Sequence, residues 1–175
     1  MKTRVPVVFF SGCAANYTDP DVGRATVLVL ERNGFIVSYP EQRCCGTPLL
    51  RHGDLRTVLD RARFNIRSFS RLEADIVTAC TTCALTLKHY YPRLLGTAEA
   101  DAVARRTYDI GEYLVLLHER GHLDTGFATI PGAFVYHAPC HLKAMGPGLV
   151  KRRLRLLGLI PGDRKSTRLN SSHRV

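Results

Sequence analysis

Four apolar runs in this chain each lead into a cysteine, and no other feature narrows the possible folds as sharply. "VPVVFF" (5–10) enters Ser11-Gly12-Cys13, and "FIVSY" (35–39) precedes "PEQRCCG" with Cys44 and Cys45. "ADIVTA" (74–79) stops at Cys80, and "AFVYH" (133–137) is followed by "APC" with Cys140. Short apolar runs bounded by turn formers read as buried strands. Between them lie segments of helical period. Asp19-Pro20 supplies an N-cap with proline at the first helical position, Val22, Ala25, Val29 and Leu30 share one face, and Gly34 supplies the stop. Leu55, Val58, Leu59, Ala62, Ile66 and Phe69 recur at helical spacing to about Leu72. Helical residues resume at Thr81 or Thr82 and run to Pro92. Ile110, Tyr113, Leu114 and Leu117 mark a further helix stopping at Gly121, and a last one reaches about Leu157. Strands alternating with helices predict an α/β fold, a parallel sheet with helical crossovers. In such a sheet chemistry gathers beyond the carboxyl ends of the strands. Cysteines far apart in sequence are thereby expected to converge in space.

The first five cysteines follow the pattern C-x30-C-C-x34-C-x-x-C. Cys80 and Cys83, three residues apart, share one face at a helix start, where free amides favour thiolate. Adjacent Cys44 and Cys45 need an unusual turn to face one centre, and Gly46 relaxes the backbone beside them. Five thiolates exceed the four that a zinc site takes. A polynuclear iron–sulfur cluster uses the surplus, because several irons share the ligands. A thioredoxin-like pair at Cys80 and Cys83, a zinc site on four of the five, and inert buried cysteines are the other readings of the same residues. His137 and His141 flank Cys140, either as turn or core histidines or as hydrogen-bond donors to a cluster sulfur. No GxGxxG follows a strand, and no glycine-rich loop carries the Lys-Ser/Thr of a phosphate loop, so nucleotide and flavin binding by this chain are not expected.

At 175 residues the chain has room for one ordinary domain. No apolar stretch approaches the roughly eighteen residues of a membrane span. The start "MKTRVPVVFFSGC" is too short for the apolar core of a secretory signal, so a cytosolic setting with reduced thiols is expected. The formal charge of +10 would suggest a polyanion partner if it were concentrated, and it is not. Residues 163–173, "DRKSTRLNSSH", resemble the in-frame translation of a common sequencing-library adapter. Asp163–Val175 is therefore set aside as a tail foreign to the fold, and it carries +3 of the charge. The remainder is spread out apart from "KRRLR" (151–155), which reads as the solvated face of an amphipathic helix. Nucleic acid is not an expected partner.

The combination of Cys13, "CCGTP" and "CTTC" resembles the cysteine-rich CCG domain. That domain is found in the B subunit of heterodisulfide reductase, the C subunit of anaerobic glycerol-3-phosphate dehydrogenase, and iron–sulfur subunits of glycolate and lactate oxidation systems. The stretches "GCAANYTDPDVG", "CCGTPLLRHGD", "RFN", "YYPRLLG" and "VYHAPCHLKAMG" are most similar to the glycerol-3-phosphate dehydrogenase type. The resemblance implies two CCG modules, each holding an iron–sulfur cluster, [4Fe-4S] and of the noncubane kind in heterodisulfide reductase. Carried over, Cys13, Cys44, Cys45, Cys80 and Cys83 are the ligands of the first cluster, and Cys140 is the first ligand of an incomplete second site. The expected domains are 1–125, a first module; 126–162, the start of a truncated second; and 163–175, the tail. The ferredoxin-like C-x-x-C-x-x-C-x-x-x-C-P region of the glycerol-3-phosphate type is not in this chain. The implied function is electron relay from a flavoprotein dehydrogenase subunit toward the quinone pool, without oxidation of the carbon substrate by this chain. The alternatives are thiol–disulfide catalysis of the heterodisulfide reductase kind and a lactate or glycolate oxidation subunit. The implied partners are the flavoprotein and a membrane-anchoring or quinone-reactive subunit, which would hold the chain at the cytoplasmic face of the inner membrane.

Overall fold

The computed structural model describes residues 5–132 and 136–162. Its chain divides into two compact units, Met1–Tyr113 and Leu114–Val175.

The first unit is built on a four-stranded sheet of order β2-β1-β3-β4, parallel throughout. The strands are β1 (Val5–Phe10), β2 (Phe35–Ser38), β3 (Asp75–Thr78) and β4 (Thr107–Asp109). The expected α/β fold is what the structure has. Central strand β1 ends in four consecutive buried residues, Val7 to Phe10, because a parallel sheet is covered on both faces. Val8, Phe10 and Ile76 join the core with Ala62, Ile66 and Phe69 of α3 (Leu55–Ser70), and Phe10 meets Phe69 edge to face at 5.8 Å. Leu87, Tyr91 and Val103 complete that core. On the other face Phe9 lies under α1 (Pro20–Arg32), where a Cβ on Gly23 would stand 3.9 Å from its ring.

Three local expectations are corrected. The buried stripe of α1 is Gly23, Thr26 and Leu30, while Val22 and Val29 are exposed. Small residues win because the helix packs close: a Cβ at Gly23 would already be 3.3 Å from the Ala15 carbonyl. The helix after β3 does not end at Pro92. It runs as α4 (Thr81–Leu85), a π-helical turn (Thr86–Tyr90) and α5 (Tyr91–Leu95). The widened turn lets the helix absorb a residue that has no N–H to donate and would clash with the preceding turn. The fourth strand is Thr107–Asp109, preceded by α6 (Ala98–Arg105), and it ends at an aspartate, not a cysteine. Asp109 caps α7 (Ile110–Glu119) by accepting from the Gly111 and Glu112 amides at 2.9 and 3.2 Å. Of the strand expected at 133–137, residues 133–135 lie outside the described residues, and Tyr136 and His137 are in no strand.

In the second unit Cys140 opens α8 (Cys140–Ala144) and is exposed. Leu142 of α8 and Leu156 of α9 (Leu149–Leu157) are buried. "KRRLR" is not wholly a solvated face: Arg152 is paired with Glu119, and Arg153 reaches the Tyr136 hydroxyl at 3.4 Å. The residues of the expected tail, 163–175, lie outside the described residues.

Candidate metal centre at the carboxyl edge of the sheet

Because β1, β2 and β3 are parallel, the loops that leave their carboxyl ends share one edge of the sheet. Cys13 follows β1, Cys44 and Cys45 follow β2, and Cys80 follows β3 with Cys83 inside α4. The loops are tied to one another before any cysteine is considered. The Ser11 amide donates to Gln42 Oε1 at 3.0 Å, and Gln42 Nε2 donates to the Phe9 carbonyl at 3.1 Å, so the loop after β2 is stitched to the end of β1. The Ser11 and Tyr39 hydroxyls meet at 2.9 Å and add a second tie.

Two glycines shape the loops around the sulfurs, one by leaving room and one by its positive φ. Gly12 has φ +61°, and a Cβ there would stand 2.9 Å from Cys83 Sγ, closer than a real side chain allows. Gly46 has φ +87° and starts α2 (Thr47–Arg51), turning the chain immediately after the cysteine pair. Cys45 and Cys83 are buried, with their sulfurs 3.5 Å apart. The Thr47 hydroxyl lies 3.3 Å from Cys45 Sγ and is itself bonded to the Thr86 hydroxyl of the π-helical turn. Cys44 and Cys80 are half-buried, and Cys13 is exposed. Cys13 and Cys44 line a cavity of about 550 Å³ with Asn16, Tyr17, Arg43 and Arg61 among its walls.

The thiols interact as one set. Hydrogen bonds from the Cys44 and Cys83 thiols hold Cys45 far below the ordinary thiol range. The same contacts push Cys44 and Cys83 up, with burial adding to the effect. Cys80 is lowered to about 6, first by its hydrogen bond with Cys83. Buried thiols in hydrogen-bond contact favour the thiolate at Cys45 and Cys80. Metal binding replaces thiol protons, since thiolates are the ligating form.

The donor set decides which metal group it suits. Among the described residues, no three Cys, His, Asp or Glu side chains are placed to hold a single metal ion. The five thiols, buried at Cys45 and Cys83, half-buried at Cys44 and Cys80 and exposed at Cys13, are soft donors and outnumber the four that one tetrahedral ion takes. That chemistry fits a polynuclear iron–sulfur group.

Several residues that shape the centre are not among those the sequence singles out. Asn65 and Tyr91 are fully buried beside the cysteine pair, and Gln42, Thr47 and Thr86 bind the loops. A signal existed for Asn65, a lone polar residue in the apolar stripe of Val58, Ala62, Ile66 and Phe69. Tyr91 lies in the stretch "YYPRLLG" that carries the family resemblance, but no local pattern gives it a role, and nothing marks Gln42. Cys140 and half-buried His141 lie in the second unit with exposed His137.

A parallel α/β unit with cysteines at three adjacent strand ends is the class of protein that fold and site define. Residues 7–88 match the CCG family, a cysteine-rich domain. The chain is similar to the B subunit of the fumarate reductase (CoM/CoB) of Methanothermobacter marburgensis, 36% identical over 155 residues, 88% of this chain and 29% of that protein. It is similar to lactate utilization protein A of Bacillus pumilus, 37% identical over 143 residues, 78% of this chain and 58% of that protein. An iron-sulfur protein of Methanocaldococcus jannaschii is 30% identical over 160 residues, 90% of this chain and 30% of that protein. The chain thus spans from under a third to somewhat over half of the length of these relatives.

Proposed function

We propose that this chain is an iron–sulfur electron-transfer subunit of a flavoprotein oxidoreductase complex, with Cys13, Cys44, Cys45, Cys80 and Cys83 as the ligands of one [4Fe-4S] cluster, cubane or noncubane. The observation that carries the reading is the meeting of cysteines from three strand ends, with Cys45 and Cys83 in sulfur contact and Cys13 and Cys44 on one cavity. Relatives named as a reductase subunit and as an iron-sulfur protein support it. When bound, such a cluster supplies one-electron transfer. The residues do the rest. Cys45 and Cys83 anchor it away from water, Gly12 lets backbone and sulfur approach, and exposed Cys13 keeps one side open to an electron partner. No side chain here is suited to take a hydride, so the carbon substrate belongs to a flavoprotein partner. Electrons then pass toward the quinone pool through a membrane-anchoring or quinone-reactive subunit. Among the described residues no helix is long and apolar enough to cross a membrane, and in this reading the partners hold the chain at the inner membrane. Cys140 is the first ligand of a second site.

The stretches "GCAANYTDPDVG" and "CCGTPLLRHGD" favour glycerol-3-phosphate as the partner's substrate, and the likeness to lactate utilization protein A favours lactate. A second reading, thiol–disulfide catalysis, draws on the open cavity where exposed Cys13 stands beside Cys44 with Arg43 and Arg61. Anaerobic purification followed by iron and acid-labile sulfide analysis tests the shared premise. Iron and sulfide in near-equal amounts, lost in Cys45→Ala, are the expected result, and zinc without sulfide would overturn it. Bleaching of the bound chromophore by the co-purified flavoprotein with glycerol-3-phosphate or lactate identifies the donor. Turnover of a small disulfide would favour the second reading.

A further inference from the structure

Cys44 and Cys45 are adjacent, yet Cys44 lines the cavity with Cys13 while Cys45 touches Cys83. Neighbouring side chains of a segment outside any helix point to different sides, so where the Cys44-Cys45 dipeptide is held decides where both thiols stand. Gly46 turns the chain after the dipeptide but does not hold it in place. The polar groups around the dipeptide are bound by two buried side chains. Asn65 Oδ1 accepts from the Arg43 amide at 2.8 Å, and Asn65 Nδ2 donates to the Arg43 carbonyl at 2.9 Å. The same side-chain nitrogen of Asn65 donates to the Tyr91 hydroxyl at 3.0 Å, and that hydroxyl donates to the Cys45 carbonyl at 3.0 Å. Asn65 and Tyr91 are both 0% exposed. The dipeptide is thus gripped at its start through Arg43 and at its end through the Cys45 carbonyl.

We infer that Asn65 and Tyr91 form a two-residue latch that positions the Cys44-Cys45 segment, and so sets where these two thiols stand relative to Cys80 and Cys83. The inference deepens the proposed function and rests on it for the cluster, though the latch acts on the thiols whether or not metal is bound. Asn65 pairs with Arg43 as a neighbouring strand would, using both an acceptor and a donor. A hydrophobic residue of the same size would fill the space and leave the segment free to shift. Tyr91 is shaped for the same task. Its ring belongs to the core with Ile66 and Leu87, and only its oxygen reaches the loop. Each latch residue stands on a rigid element, α3 for Asn65 and the start of α5 for Tyr91. Both are positioning residues, since their side chains bind backbone groups and one another.

The test uses Tyr91→Phe, which keeps the ring and removes the oxygen, and Asn65→Asp, which keeps the acceptor for the Arg43 amide and removes the donor. Tyr113→Phe is the control, because it deletes another buried tyrosine hydroxyl, bonded to Asp75 at 3.1 Å and outside the latch. In metal-free, fully reduced protein, the alkylation rate of Cys45 is measured by peptide mapping, with exposed Cys13 as the internal reference. A lost buried hydrogen bond of about 1.4 kcal/mol corresponds to a roughly tenfold rise in that ratio for both latch variants. Tyr113→Phe should leave the ratio unchanged. In the iron-loaded protein, the same two variants should shift the reduction potential and the electron paramagnetic resonance line shape, and the control should not. An unchanged alkylation ratio in the latch variants, or an equal rise in the control, overturns the latch. A parent protein that takes up no iron while the alkylation ratios still separate overturns the cluster reading and leaves the latch standing.

Discussion

Cys45 is the most committed residue of the centre: buried, in contact with Cys83, bonded to Thr47, and gripped at its carbonyl. Gly12 is the complementary case, because its lack of a side chain is what the centre uses. In Gly12→Ala the positive φ costs about 1–2 kcal/mol in an L residue, and the new methyl displaces Cys83 Sγ. The expected outcome is a thermal midpoint lower by several degrees together with reduced iron retention. Chemical denaturation and metal analysis of the same preparation check both. A variant with lowered stability and full iron content would show that Cys83 moves freely, contrary to the packing around it.

Among the elements, α3 decides most, since one face supplies Val58, Ala62, Ile66 and Phe69 to the core and the same face presents Asn65 to the cysteine loop. Its start is fixed by Asp54, whose carboxylate accepts from the Thr57 amide at 3.1 Å. Hydrogen bonding to Thr57 is the main reason the Asp54 carboxyl sits below its ordinary value. A group with a depressed folded-state pKa contributes stability above its unfolded pKa, and the contribution vanishes as pH falls through the folded pKa. Asp54→Ala should therefore melt earlier than the parent at neutral pH. The gap should close as pH falls through the lowered carboxyl range, and melting curves across that range check it. A gap independent of pH would mean that Asp54 acts through the shape of its side chain and not its charge. The run from Thr81 to Leu95 shows how an element can outlast its own stop signal. Read locally, Pro92 ends a helix, yet a π-helical turn before it lets the chain continue and bring Tyr91 under the cysteine loop.

For the molecule as a whole, the sheet and the proposed metal centre share one core, because Phe10 and Phe69 lie in the same core cluster as Cys45 and Cys83. Phe69→Ala should remove roughly 3–5 kcal/mol, a large part of the ~5–15 kcal/mol that holds an ordinary domain folded. Denaturant titration should show this loss, with the iron lost in the same transition. Separate transitions for iron release and unfolding would show that the centre does not share the core's cooperativity. The proposed assignment of Cys140 to a second site carries a further expectation. Cys140→Ala should leave the iron of the first centre largely intact where Cys45→Ala removes it. Equal loss in both, measured as iron per chain, would assign Cys140 to the first centre.

The order of strands and helices was legible because it rests on local patterns: apolar runs, helical spacing, Asp19-Pro20 and Gly34 as punctuation. The placing of Cys13, Cys44, Cys45 and Cys80 at strand ends followed from the same runs, since parallel strands put their carboxyl ends on one edge. β4 was not legible, because three residues are too few to show a period, and Thr107–Asp109 is a strand only through its pairing with β3. The buried face of α1 differs from its sequence pattern for a related reason. Val22 and Val29 are more apolar than Gly23 and Thr26, but the closeness of Ala15 rewards small residues, and that closeness exists only after folding. The latch was least legible of all. Asn65 meets Arg43 across 22 positions and Tyr91 meets Cys45 across 46, so both contacts depend on how α3 and α5 pack against the sheet. Local sequence determined which residues could carry the chemistry. Packing between distant elements decided how they face one another, because a hydrogen bond needs its partner within about 3 Å and no sequence interval measures that distance.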